Sequence, residues 1–109
     1  MIPSSPQGVF AKEEGTTCHL KWSANPEKDI KGYRVYRMNG RYDKDAIVRL
    51  TADPISGLAY SDHEAGKVSR RYYVIGVDAL GQEGFPSSPV WFEREWKRFY
   101  EPFVAGWHQ

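Results

Sequence analysis

Few residues of this sequence have types and spacing that could support metal binding. Its histidines are His19, His63 and His108, and they lack the spacing of metal ligands. The densest group is Asp62-His63-Glu64. Because neighbours along a strand point to opposite faces, these three side chains are poorly placed to share one ion. We interpret the triplet as a solvated loop in which Asp62 caps a turn, and we predict no metal site.

Candidates for nucleophilic or cofactor chemistry are equally weak. The only cysteine, Cys18, alternates with Leu20 and Trp22, so we expect it to be a small buried hydrophobic residue. The glycines of ALGQEG precede a strand rather than a helix, which indicates turn glycines and not a phosphate loop. Asp78, just before them, is expected to accept backbone hydrogen bonds. The sequence therefore predicts no catalytic or cofactor-binding residue and no enzyme.

Composition excludes several further classes. The chain has 109 residues, enough for one domain, with 15 basic and 14 acidic side chains. Such a balanced charge predicts no nucleic-acid binding. No apolar run reaches the roughly 18 residues of a bilayer-crossing helix, so no membrane insertion is expected. Aromatic residues make up 15% of the chain, which is an unusually high share.

Short segments in which polar and apolar residues alternate indicate the secondary structure that positions these side chains. In the first clear case Cys18, Leu20 and Trp22 share one face, which is typical of a strand with one buried side. Similar segments, separated by Gly, Pro, Asn and Asp, continue along the chain. We predict strands near 8–12, 17–23, 32–38, 47–51, 58–61, 71–78 and 86–92. About seven short strands without helical periodicity favour an antiparallel sandwich.

The order of several motifs resembles the fibronectin type III family, especially its bacterial members. The matching pieces are Pro6 with GVFA, then LKW, GYRVYR, AYSD, YYVIGVDALGQEG and SSP, within residues 6–92. The resemblance implies an immunoglobulin-like sandwich in which Trp22 fills the core between the sheets. Residues expected around this indole are Tyr33, Val35, Tyr72 and Val74. Where many members place a corner tyrosine this sequence has Arg70 or Arg71, so Tyr72 is expected to take that role by a small shift.

The resemblance also implies a function. Members of this family act in adhesion, as spacers between catalytic domains, or by displaying loops to partners, and this chain lacks the Arg-Gly-Asp motif that some of them use. We therefore expect a non-catalytic structural spacer or protein-interaction module of a larger secreted or surface protein, in extracellular, periplasmic or cell-surface surroundings. Its expected partners are neighbouring domains or another protein. No cofactor is expected.

The chain divides into a sandwich over residues 1–92 and an aromatic tail over residues 93–109. The tail reads EREWKRFYEPFVAGWHQ, and its apolar residues recur at the three- and four-residue spacing of a helix. Pro102 interrupts this pattern because proline lacks a backbone N–H. We predict a helix near Glu93 to Tyr100. A helix this short is marginal alone, so docking onto the sandwich is favoured.

The predicted docking surface is the outer face of the strand over 71–78 together with its neighbour over 32–38. The predicted interaction residues are Tyr36, Tyr73, Ile75, Val77, Trp96, Phe99, Tyr100, Phe103 and Trp107. Two alternatives remain open. The aromatic tail could pair with a second copy as a homodimer or with a neighbouring domain, or aromatic rings could stack on a carbohydrate, which requires Trp91, Trp96 and Trp107 to be exposed and coplanar.

Overall fold

A computed structural model describes residues 2–39, 47–66 and 70–92 of the chain. These ranges contain strands and no helix. The strands are β1 (Phe10–Glu14), β2 (Thr17–Lys21), β3 (Ile30–Asn39), β4 (Ile47–Arg49), β5 (Ala59–Asp62), β6 (Arg70–Asp78), β7 (Glu83–Pro86) and β8 (Val90–Phe92). Within the same ranges, no helix has the length and apolar character needed to span a bilayer.

The strands form two antiparallel sheets that face each other. One sheet has the order β1-β2-β5, and the other has the order β4-β3-β6-β7, with β8 also paired to β6. β4 and β5 lie at sheet edges, as their short apolar segments predict. The all-β sandwich predicted from the sequence is confirmed.

The core lies between the sheets and follows the predicted alternation. Trp22 is 5% exposed and its ring meets Tyr33 edge to face, with ring centroids 5.6 Å apart. The other buried members are Cys18, Leu20, Val35, Ala65, Tyr72 and Val74. Period-two alternation therefore places the aromatic and aliphatic side chains of both sheets in one apolar layer.

The last predicted strand, over 86–92, is broken into β7 and β8. Both pieces pair with β6, so the eight segments of the described ranges occupy seven strand positions. The break occurs at buried Ser87, whose Oγ atom accepts a hydrogen bond of 2.9 Å from the backbone N–H of Val74. A side chain thus replaces a backbone acceptor of the ladder. Pro89 follows, and it has no N–H to offer a neighbouring strand.

The first strand begins two residues later than the predicted segment over 8–12, because the residues before β1 cross the end of the sandwich instead. Pro3 is fully buried there, and its carbonyl accepts a hydrogen bond of 3.1 Å from Phe85 N–H. A Cβ atom on Gly84 would overlap the Pro3 carbonyl oxygen. Gly84 therefore lies in β7 to admit Pro3, whereas Gly81, with a φ of 81°, is a turn glycine as predicted.

The predicted helix near Glu93 to Tyr100 and the tail that contains it lie outside the described residues. The division of the chain into 1–92 and 93–109 therefore stays a prediction.

Candidate functional site

A buried network of Arg37, Asp62 and Tyr72 joins the two sheets. Arg37 and Tyr72 are opposite each other on β3 and β6, and Asp62 ends β5 in the other sheet. The Oδ2 atom of Asp62 accepts hydrogen bonds of 2.7 Å from the Tyr72 hydroxyl and 2.9 Å from Arg37 Nη1. All three residues are buried. Because a desolvated charge is costly without a partner, this network favours one relative placement of the sheets.

The network keeps Asp62 ionised and Tyr72 protonated. Burial opposes ionisation of Asp62, but hydrogen bonds from Tyr72, Arg37 and the Glu64 backbone N–H outweigh it, so the pKa of Asp62 is lowered. Burial, together with donation of the hydroxyl proton to Asp62, raises the pKa of Tyr72 far above its usual value. At neutral pH Asp62 is therefore ionised and Tyr72 is protonated, and these states maintain the hydrogen bonds of the network.

The lowered pKa of Asp62 predicts a loss of stability in acid. Its contribution is fully present above the unfolded-state pKa of about 3.9 and is lost as the pH falls through the lower folded-state pKa. We expect the free energy of unfolding, measured with denaturant between pH 7 and pH 2, to fall more steeply for the unsubstituted chain than for Asp62→Asn. Parallel curves would contradict this assignment.

The residues examined for chemistry occupy structural positions. Asp62 caps its turn as predicted, since its Oδ1 accepts the Glu64 N–H at 3.0 Å, but the predicted solvated loop is wrong for this residue, which ends β5 and is 3% exposed. His63 is exposed and lies 3.2 Å from the Thr17 hydroxyl. Asp78 accepts the N–H groups of Leu80 and Gln82 at 3.0 and 2.9 Å, as predicted. In the described ranges, no three histidine, cysteine or acidic side chains are grouped to hold a metal ion.

The expected role of Tyr72 at the corner before β6 is taken by Arg70. Its Nε atom donates a hydrogen bond of 2.8 Å to the carbonyl of Ala65, five residues upstream. Tyr72 lies inside β6 and binds Asp62 instead. The sequence reasoning also missed Arg37 as a core residue. The signal was present, because Arg37 follows Tyr33 and Val35 at a spacing of two, on the face that the family resemblance assigned to the core.

The predicted interaction surface begins with a stacked tyrosine pair. Tyr36 on β3 and Tyr73 on β6 are half-buried, and their rings are 5.1 Å apart and nearly parallel. The Tyr36 hydroxyl donates to Glu83, which also pairs with Arg34 at 3.2 Å. Burial and this hydrogen bond raise the pKa of Tyr36 to about 12. The pair thus forms a neutral, fixed aromatic platform on the outer face of the four-stranded sheet.

Other predicted members of the surface differ in exposure. Ile75 is 8% exposed and Val77 is fully buried, so little of either side chain is open to a partner. Trp91 of β8 is 39% exposed, and the Arg71 guanidinium lies 5.1 Å from the centre of its ring. The predicted members in the tail, Trp96, Phe99, Tyr100, Phe103 and Trp107, lie outside the described residues. The interaction surface as a whole stays a prediction.

Comparison of the sequence with protein-family models and with curated proteins found no match for this chain. Solved structures do match its fold. An Fn3-like protein from Clostridium thermocellum is 26% identical with a TM-score of 0.67, over 84% of this chain and 92% of that one. The likeness covers nearly all of that protein and most of this chain, so the two share one fold.

Two further similar structures belong to longer proteins. The spore cortex lytic enzyme SleM from Clostridium perfringens is 17% identical with a TM-score of 0.67, over 85% of this chain and 29% of that one. A structure of titin kinase and its flanking domains is 21% identical with a TM-score of 0.66, over 94% and 19% respectively. At these identities the likeness shows the fold alone. In each of these two longer proteins the matching fold is a minor part of the chain.

Proposed function

We propose, from the fibronectin type III-type fold that this chain has, that it is a non-catalytic spacer or protein-interaction module within a larger protein. The observation that carries the proposal is how its first residues are held. Pro3, Ser4 and Gln7 are each bound to the sandwich, so a preceding domain would be attached to a fixed point rather than to a loose linker.

The contacts of this N-terminal segment involve both backbone and side chains. The Gln7 carbonyl accepts the Ser23 N–H at 2.9 Å, and the Ser4 hydroxyl donates to Glu27 at 2.8 Å. Asn25 Nδ2 donates to the Ser4 carbonyl at 2.7 Å. With Pro3 buried against β7, the chain is fixed to the sandwich from its third residue onward. A fixed entry point transmits orientation between consecutive domains, which is what a spacer requires.

The chemistry of the buried charges supports the same proposal. Arg37 and Asp62 satisfy each other in the core and serve the packing of the two sheets. The similar structures in longer proteins, one of them an enzyme by its name, support a place beside other domains. A secreted or surface protein as the parent is part of the proposal and rests on the family resemblance.

Rotational diffusion tests the spacer role. A small unrelated domain is fused directly before the full chain, and its correlation time is measured by ¹⁵N relaxation. We expect the fused domain to tumble with the sandwich as one body. Gly84→Ala should displace Pro3 and let the fused domain reorient independently, because the new Cβ overlaps the Pro3 carbonyl.

The matched control is Gly57→Ala, since Gly57 has open space around it and no positive φ. This variant should keep the slow tumbling of the unsubstituted fusion. Independent reorientation of the fused domain in the unsubstituted chain would contradict the spacer role and leave protein interaction as the remaining form of the proposal.

A further inference from the structure

The strand register aligns one row of side chains across the outer face of the four-stranded sheet, at the end where β8 stops. Met38 is paired with Ile47 on one side and with Arg71 on the other, and Arg71 is paired with Trp91. Directly paired residues of antiparallel strands point to the same face. These residues belong to the face of Tyr36 and Tyr73, because Met38 and Arg71 are each two positions from one of these tyrosines along its strand, and Ile47 and Trp91 are paired with Met38 and Arg71.

This row, Ile47-Met38-Arg71-Trp91, has exposed apolar side chains at both ends, whereas Met38 is 7% exposed. Ile47 is 55% exposed and Trp91 is 39% exposed. Between them the Arg71 guanidinium lies over the Trp91 ring, and its Nη2 atom is 2.8 Å from the Met38 sulfur. A cation stacked on an indole and a thioether presents a flat surface of low polarity. Exposed apolar side chains at both ends of one row favour a cover that reaches across it.

The chain itself supplies a cover at this place. β8 ends at Phe92, one residue after Trp91, and residues 93–109 follow with six large apolar side chains. We propose that the start of this tail, as the predicted helix over Glu93 to Tyr100, lies across the row from the β8 edge of the sheet towards the β4 edge, with Trp96, Phe99 and Tyr100 against it.

The dimensions agree with this placement. Four neighbouring strands span three gaps of about 4.8 Å, so the row is about 14 Å wide. A helix of eight residues is about 12 Å long. Trp96, Phe99 and Tyr100 lie at positions i, i+3 and i+4, which places all three on one side of such a helix. One helical turn after Phe92 is enough to bring the tail over the row.

The charges at the start of the tail agree as well. Glu93 and Glu95 follow directly after β8 and flank Arg94, giving these three residues a net charge of −1. They would begin beside Arg71, and acidic residues in the first turn of a helix also favour its dipole. Ile75 and Val77, further along β6, are buried, and Met38 in the row is buried as well, so the exposed apolar side chains of the row are its two ends, Ile47 and Trp91.

A double-substitution cycle in the full chain tests the proposal. Ile47→Ala at the far end of the row and Tyr100→Ala at the end of the predicted helix, the tail ring that the proposal brings nearest to Ile47, are made singly and together, and the folding equilibrium constant is measured with denaturant. We expect each single variant to lower this constant about 3- to 10-fold. The double variant should lose little more than the worse single variant, because both changes remove one contact.

The control pairs Tyr100→Ala with Leu80→Ala, an apolar side chain that is 83% exposed in the turn after β6. These two effects should multiply. Nuclear Overhauser contacts between the tail rings and the Ile47 or Met38 methyl groups would support the placement directly. An unchanged folding constant for Tyr100→Ala, or multiplying effects of Ile47→Ala and Tyr100→Ala, would overturn it.

Two other occupants of the row give distinct results. A dimer in sedimentation that becomes a monomer on Ile47→Ala or Trp96→Ala would assign the row to a second copy of the chain. A tryptophan fluorescence change on adding cellotetraose or tetragalacturonate, lost in Trp91→Ala, would assign it to a carbohydrate. Either result overturns the intramolecular cover without affecting the proposed spacer role.

Discussion

Asp62→Ala is expected to lower the free energy of unfolding by about 3 to 5 kcal/mol, a large fraction of what a domain of this size has. The substitution leaves Arg37 charged in the core with one of its acceptors removed, and it also removes the acceptor of the Tyr72 hydroxyl. A desolvated charge that has lost its partner is among the few single changes with an effect this large. Urea denaturation at pH 7 measures it.

Two comparisons separate the network from a general effect of removing an aspartate. Asp53→Ala, at an exposed position, should change the free energy of unfolding by less than about 0.5 kcal/mol. The triple variant Arg37→Met, Asp62→Leu and Tyr72→Phe should lose less than Asp62→Ala alone, because apolar groups of similar size need no partner. A loss below about 1 kcal/mol for Asp62→Ala would show that the pair is solvated.

The buried network of Arg37, Asp62 and Tyr72 shows which contacts could not be predicted from the sequence. Alternation separated the two faces of the strands, since a side chain's face depends only on its parity along the strand, and the family resemblance indicated which face meets the core. It placed Trp22, Tyr33 and Val35 correctly. Which side chain of the opposite sheet meets Arg37 depends on the packing of two sheets. No local pattern encodes that relation, so Asp62 was interpreted as a turn cap alone.

The N-terminal segment shows a second limit of the same kind. Gly84 was interpreted as a turn residue because glycine is common in turns. Its actual constraint is the Pro3 carbonyl, which comes from a residue about eighty positions away in the sequence. Long-range contacts of this type are set by the tertiary fold. The outer face of the four-stranded sheet is a further case. Ile75 and Val77 are buried there, and the exposed Trp91 lies at the end of a different row of side chains.

Different parts of the sandwich have different structural roles. Buried Arg37 and Asp62 join the two sheets, and the end of the sandwich near Pro3 holds the incoming chain. The aromatic surplus of the sequence is then explained in two parts. Trp22, Tyr33 and Tyr72 fill the core, whereas Tyr36, Tyr73 and Trp91 lie on the outer face of the four-stranded sheet.

Trp22→Ala is the second change with a large expected effect, about 3 to 5 kcal/mol, because it removes the largest side chain of the core and leaves a cavity between the sheets. Trp22→Phe should cost clearly less, since the indole N–H is buried without an acceptor in the part of the chain that the structure describes and phenylalanine has no such group. Leu80→Ala, at an exposed apolar position, serves as the control with an expected change below about 0.5 kcal/mol. Denaturation curves followed by circular dichroism measure all three variants. If Trp22→Ala cost no more than Leu80→Ala, the indole would lie in solvent, and the sandwich would lack the apolar layer on which both the fold and the proposed spacer role depend.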